Sequence, residues 1–408
     1  MQKFKIFFPV TQYINGGNRR GVKIVSKTGM QRSEKQSRIK KSTLFLCCFI
    51  GFLFLLICFG VWNQLQVTEK EVEFQQHSAR PTTELTMKSM QKRADEPVEI
   101  VFAGDTMFDW DLRPILKREG YDYPFEHVKE TVLQADYSFI NLESVITKDK
   151  TMKDPNQLFW IKSDPAALEG LKNSGFKMLN IGNNHTLDYL HSGLLDTLHY
   201  VKKYQFDYIG AGKNEKEAYR SKEIEIKGKT FRFFSFVRFY PSAAWVATDD
   251  KPGVPNGYDL SLVKKTIEEQ KGDSDYLIVY FHWGVEKTNL PVEYQKEYVA
   301  ALKELGVDLI VGSHPHWLQG FEYEDEMAVA YSLGNFLFPP YVQGHTAETG
   351  LLKVTFEGKK VQMAFEPYTI SNGQIRPLED AAKKRMYQYL ESISFDVQIQ
   401  DDGKIISK

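Results

Sequence analysis

The 408-residue sequence predicts an α/β domain carried behind a single membrane-spanning helix. Three observations support this. Residues 42–62 contain no charged side chain, short apolar runs alternate with amphipathic stretches from Pro97 onward, and five of those runs end in residues able to bind a metal ion. With 42% apolar and 26% charged residues, the chain can bury a sizeable core and is not disordered as a whole.

Residues 1–41 form a basic tail, with eleven Lys/Arg against the single Glu34. Subtracting these from the totals of 52 basic and 53 acidic residues leaves 41 and 52, so the remainder is acidic by 11. A nucleic-acid binder carries its positive charge on the folded part, so no nucleic acid is expected as a partner. As a helix rising ~1.5 Å per residue, the stretch 42–62 would reach about 31 Å, the thickness of a bilayer's hydrocarbon core. A cleaved signal peptide has a shorter apolar run and a small-x-small site, which the following NQLQVTEK lacks. Arg38, Lys40 and Lys41 directly precede the span and assign the amino terminus to the cytoplasm, with the bulk of the chain outside. The expectation is a single-pass protein of the cell membrane, with the lipid bilayer as one partner. Cys47, Cys48 and Cys58 all fall in the span, so the outer part must be held by its core rather than by disulfides.

Residues 63–95 are polar, lack aromatics after Phe74 and read as a stalk. One domain is expected over 97–376. Runs of β-branched and aromatic residues predict strands at 98–103, 137–142, 178–181, 231–236, 276–281, 309–311 and 328–332. Apolar residues recurring at three and four predict helices at 166–174, 192–204, 261–271 and 292–305. Two hairpins are expected, one turning at Lys227-Gly228-Lys229 and one at Glu357-Gly358-Lys359. Residues 377–408 read as a helix over 378–391 and a short peripheral end.

The candidate chemistry lies at strand ends. Five predicted strands lead into Gly104-Asp105, Asn141-Leu142-Glu143, Gly182-Asn183-Asn184-His185, His282-Trp283-Gly284 and Gly312-Ser313-His314-Pro315-His316. In open α/β sheets such ends converge on one crevice, so residues distant in sequence can face a single centre. Carboxylate, carboxamide and imidazole without thiolate suit an open site for zinc, manganese or iron rather than a structural zinc knot. Pro315 is expected to hold His314 extended, and Gly104, Gly182, Gly284 and Gly312 to let the backbone turn sharply beside the ligands.

These motifs, together with Asp188-Tyr189, Glu286, Leu318-Gln319-Gly320 and Tyr331-Ser332-Leu333-Gly334-Asn335-Phe336, resemble the CapA family of poly-γ-glutamate capsule proteins over roughly residues 97–370. Members of that family are tethered to the bacterial cell membrane beside the polymer-making synthase. The family is in turn similar to calcineurin-like metallophosphoesterases, which implies a four-layer αββα sandwich with a metal centre of one or two divalent ions at the sheet ends. By this resemblance, Asp105, Glu143, Asn184, His282, His314 and His316 would be the metal ligands, with Glu143 at the bridging position. His185 would protonate the leaving group or steady the group transferred, and Asp188 would orient the His185 ring. Met107 stands where those hydrolases have a histidine, and Glu143 replaces their aspartate, so one metal position loses a ligand, and altered metal affinity and a metal-dependent hydrolase-like activity that is reduced are expected. The resemblance implies an extracytoplasmic component of poly-γ-glutamate synthesis or export, partnered by membrane synthase subunits and the anionic polymer. The alternative it leaves open is a metal-dependent hydrolase of a phosphoester or amide bond at the cell surface.

Overall fold

A computed structural model describes residues 60–61, 96–148 and 153–408. The chain divides into two units, Met1–Glu84 and Leu85–Lys408, and the second holds the architecture that follows. The basic tail and the stalk, and all of the apolar stretch except Gly60 and Val61, lie outside the described residues. Among the described residues no helix is long and apolar enough to cross a membrane.

Two sheets form the centre. The larger runs Val397–Ile399, Lys404–Ser407, Lys360–Ser371, Glu348–Glu357, Val98–Thr106, Tyr137–Leu142, Met178–Asn180 and Asp207–Ile209 from edge to edge, with Asn335–Leu337 and Gln374–Pro377 paired beside this path. The smaller runs Phe321–Glu324, Met327–Ala330, Leu309–Ser313, Tyr276–His282, Lys229–Val237 and Lys222–Ile226. Parallel strands covered on both faces must be apolar on both faces. Tyr137–Leu142, Tyr276–His282 and Leu309–Ser313 accordingly are buried at every position, whereas the edge hairpin strand Lys222–Ile226 alternates between intermediate and exposed residues up to Ile226.

The sheets pack face to face through residues such as Phe102, Val354, Phe233 and Val311. Phe139 of the larger sheet lies 6.1 Å from Phe233 and 4.9 Å from Tyr280 of the smaller, centroid to centroid. The outer face of the larger sheet buries Val101, Ile140 and Leu179 against the helices Leu112–Glu119, Ala166–Asn173 and Leu190–Lys203. Phe234, Val279 and Ile310 on the outer face of the smaller sheet meet the helices Leu260–Gln270 and Glu293–Lys303. Helix, sheet, sheet and helix thus form four layers.

The expected strands and helices are present, with ends displaced by at most three residues. The segment after Pro377 differs from the short peripheral end expected of it. Its helix Asp380–Ser392 buries Met386, Tyr387 and Leu390 in the core between the sheets, and its last two strands extend the larger sheet. Further strands absent from the sequence reading, such as Asp207–Ile209 and Asn335–Leu337, are three residues long and take their conformation from the strand beside them.

The glycines before the site have a different purpose from the one expected. At Gly104, Gly182 and Gly312 the backbone is not in the positive-φ region; an added Cβ would instead run into the carbonyl oxygen of Gly334, Gly210 or Tyr331 on the adjoining chain. Only Gly284 of the four sits at positive φ, +92°.

Candidate metal centre

Parallel strands aim their carboxyl ends in one direction, and the paired register brings the ends together. Asp105 pairs with Asn141 and Asn335 in the larger sheet, and Ser313 with His282 in the smaller. Asp105, Glu143, Asn184, His185, His282 and His314 are all buried, and His316 is partly so.

Glu143 lies at the middle. Its Oε1 stands 3.6 Å from His282 Nε2 and 4.0 Å from His185 Nε2, and its Oε2 stands 3.9 Å from His316 Nδ1. His316 Nδ1 is also 3.4 Å from Asp105 Oδ2 and 2.9 Å from Asn335 Oδ1. His282 Nε2 is 2.8 Å from Asn184 Oδ1, and its ring lies 4.9 Å from that of His314. Two sets therefore share Glu143, one with His282 and His314 and one with Asp105 and His316, each with its ligand atoms within 4.8 Å of one another. All six sequence-designated ligand residues meet in this cluster.

The residues fit a divalent cation on two grounds. Both oxygens of Glu143 and both ring nitrogens of His314 are buried without a hydrogen-bond partner, an arrangement that costs free energy unless something else satisfies them. The donor set also has the oxygen and imidazole character that manganese, iron and zinc prefer. Electrostatics agree. Burial, then the charge of Asp105, pushes the Glu143 carboxyl well above its ordinary range. Burial followed by the neighbouring imidazoles holds His282 and His314 well below theirs. Burial alone would lower His316 too, but Glu143 and Asp105 push it up to about 10. Without a cation the cluster balances its charge with protons; a cation would displace them.

His314 departs from its expected geometry. Its φ is +100°, not the extended conformation anticipated from Pro315. Its N–H donates to Asp105 Oδ2 at 3.1 Å and its ring stacks on Phe239 at 4.2 Å, which together hold a backbone conformation costly for a residue with a Cβ. Met107 packs with Ile161, Phe338 and Ile370 in an apolar cluster and offers the centre no imidazole.

His185 Nδ1 is 2.7 Å from Asp188 Oδ2, which leaves Nε2 facing Glu143. Asp188 also accepts from the Ile161 N–H at 2.6 Å and the Gln157 amide at 2.9 Å. Burial raises the Asp188 carboxyl, and these donors with His185 oppose the shift. Gln157 further donates to the Asn184 carbonyl oxygen at 2.6 Å, so one loop steadies both neighbours of the centre. Sequence reading missed Gln157, which lies 27 positions from Asn184 in no motif. It also passed over Ser313 and Asn335, although both stand inside motifs that were singled out.

The family model described as "Bacterial capsule synthesis protein PGA_cap" matches residues 99–340. The capsule biosynthesis protein CapA of Bacillus anthracis is 31% identical, covering 73% of this chain and 74% of the relative. The PGA biosynthesis protein CapA of Bacillus subtilis (strain 168) is 30% identical, covering 65% and 69%. Among solved structures, the calcineurin-like phosphoesterase YfkN from Bacillus subtilis is similar at 15% identity, covering 73% of this chain and 98% of that one, with a TM-score of 0.41.

Proposed function

The chain belongs to the bacterial capsule synthesis protein family PGA_cap, and from that premise we propose that it is a membrane-anchored, extracytoplasmic component of poly-γ-glutamate synthesis or export, built around a metallophosphoesterase-like metal centre. The relatives named for capsule and PGA biosynthesis support the pathway, and the charge-free stretch 42–62 after a basic tail supports the anchor. The observation that carries the metal centre is Glu143, buried with both oxygens unpartnered among three imidazoles. Its partners in the cell are membrane synthase subunits and the anionic polymer.

Asp105, Glu143, Asn184, His282, His314 and His316 would hold one or two ions of manganese, iron or zinc. A cation so held would polarise a phosphoryl or carbonyl group brought to it. The chain's own residues do the rest: Asn184 Oδ1 and His282 Nε2 hold each other at 2.8 Å, and Asp188 fixes His185 so that Nε2 can hold and release a proton toward the centre. This buried pair favours a second reading, hydrolysis of a phosphoester or amide bond at the cell surface.

Deleting the gene in its source strain is expected to remove surface poly-γ-glutamate, measured as glutamate released by acid hydrolysis of the washed polymer. The wild-type gene should restore it and Glu143→Ala should not. Restoration by His185→Ala marks a non-catalytic role; failure of His185→Ala with normal metal content marks the hydrolytic one. Undiminished polymer in the deletion strain would refute the proposed pathway.

A further inference from the structure

Asn141 is fully buried and lies beneath the cluster, on the strand Tyr137–Leu142. Its side chain is the meeting point of a hydrogen-bonded network that crosses between the sheets. The amide nitrogen donates to Asp105 Oδ1 at 2.7 Å and to Ser313 Oγ at 3.3 Å. The amide oxygen accepts from Asn180 at 2.7 Å and Asn183 at 3.3 Å.

The chemistry of the partners dictates which way each carboxamide points. Asn180 Nδ2 faces the carbonyl oxygen of Gly182 at 2.8 Å, and Asn183 Nδ2 faces that of Leu142 at 2.9 Å. Backbone carbonyls only accept, so both groups must be donors, and the Asn141 atom between them must be oxygen. The Asn141 nitrogen is thereby aimed at Asp105. Ser235 Oγ closes the far end of the chain on Asn180 Oδ1 at 2.6 Å.

We infer that Asn141 is the positioning residue of the metal centre, fixing Asp105 through one carboxylate oxygen so that the other is presented to the cation. The consequence is visible in Asp105: Oδ1 is engaged by Asn141, while Oδ2 points to His316 Nδ1 and the His314 N–H. Through Ser313, whose Oγ is 3.0 Å from His282 Nδ1, the same amide backs the His282 ring and leaves Nε2 facing Glu143. One carboxamide thus orients a ligand from each sheet. Partners placed behind metal ligands in this way typically govern affinity by 10–100-fold. The inference rests on the metal-centre reading above.

The test is Mn²⁺ binding to the purified full chain, by calorimetry and by the EPR spectrum of the bound ion, with thermal stability in chelator measured alongside. Asn141→Leu removes the amide at near-equal size, and Asn141→Asp keeps the shape while replacing the donor toward Asp105 with an acceptor. Each is expected to weaken Mn²⁺ binding by about 10–100-fold and to alter the EPR line shape. Ser235→Ala breaks the same network at its far end and is expected to leave affinity within about threefold of wild type. Wild-type affinity and spectrum in a folded Asn141 variant would overturn the inference, as would equal losses in Ser235→Ala, because a merely structural network predicts that pattern. If the wild type binds no Mn²⁺, the metal reading itself fails and this inference falls with it; the other two failures leave that reading standing.

Discussion

Gly104→Ala is expected to destabilise the protein by about 3 kcal/mol or more, read as a shift in the denaturant midpoint at constant slope. The added methyl would overlap the Gly334 carbonyl oxygen and lie 2.8 Å from that of Leu333. Both obstacles are backbone, so no side chain can rotate away. The Asp105 N–H donates to the same Gly334 oxygen at 2.9 Å, and pairing with Asn335–Leu337 begins at Asp105. Relief of the overlap must therefore pull that segment off the strand and take with it Asn335, which holds the His316 ring. Gly228→Ala provides the contrast. Nothing lies within 4 Å of its Cβ and only its φ of +76° is unfavourable, so the cost should be about 1–2 kcal/mol. Equal, small effects for the two would show that the close approach at Gly104 relaxes freely.

Glu143→Leu is expected to reverse sign with metal. Loaded with Mn²⁺, the wild type should be the more stable, because an ion bound to the native state alone stabilises it and the variant has lost the shared ligand. Stripped by chelator, the variant should be the more stable by about 1 kcal/mol or more, since leucine does not leave a buried carboxyl without partners. pH sharpens the second half. The native Glu143 carboxyl keeps its proton well above the ordinary value of 4.5, so the native state binds more protons than the unfolded chain there. That contribution is fully present below about 4.5 and is lost as pH rises through the native value. The gap between stripped variant and stripped wild type should thus widen upward from pH 4.5. A variant less stable than wild type in both conditions would mean that Glu143 has partners other than a cation.

Much of this was legible in the sequence because it is written in local pattern. The run 276–281 is apolar without interruption and 137–142 is broken only by Ser138 and Asn141, the pattern of strands covered on both faces, and the polar residues that follow such runs lie at the sheet's rim. Other features depend on what packs beside a residue, and no local pattern carries that. Gly104 reads as a turn residue in sequence, but its neighbour 230 positions on is what demands glycine. His314 reads as extended before Pro315, but a hydrogen bond to Asp105 and the face of Phe239 hold it at positive φ. Gln157 and the carboxamides of Asn180 and Asn183 likewise acquire their meaning from contacts 27 to 42 residues away.

The most direct test of the buried cluster as a cation site is anomalous scattering from a crystal of the protein grown with Mn²⁺. The expected result is one or two peaks enclosed by Glu143, Asp105 and the three imidazoles of His282, His314 and His316, lost in Glu143→Leu. A map without a peak there, at Mn²⁺ concentrations that saturate other manganese proteins, would contradict it.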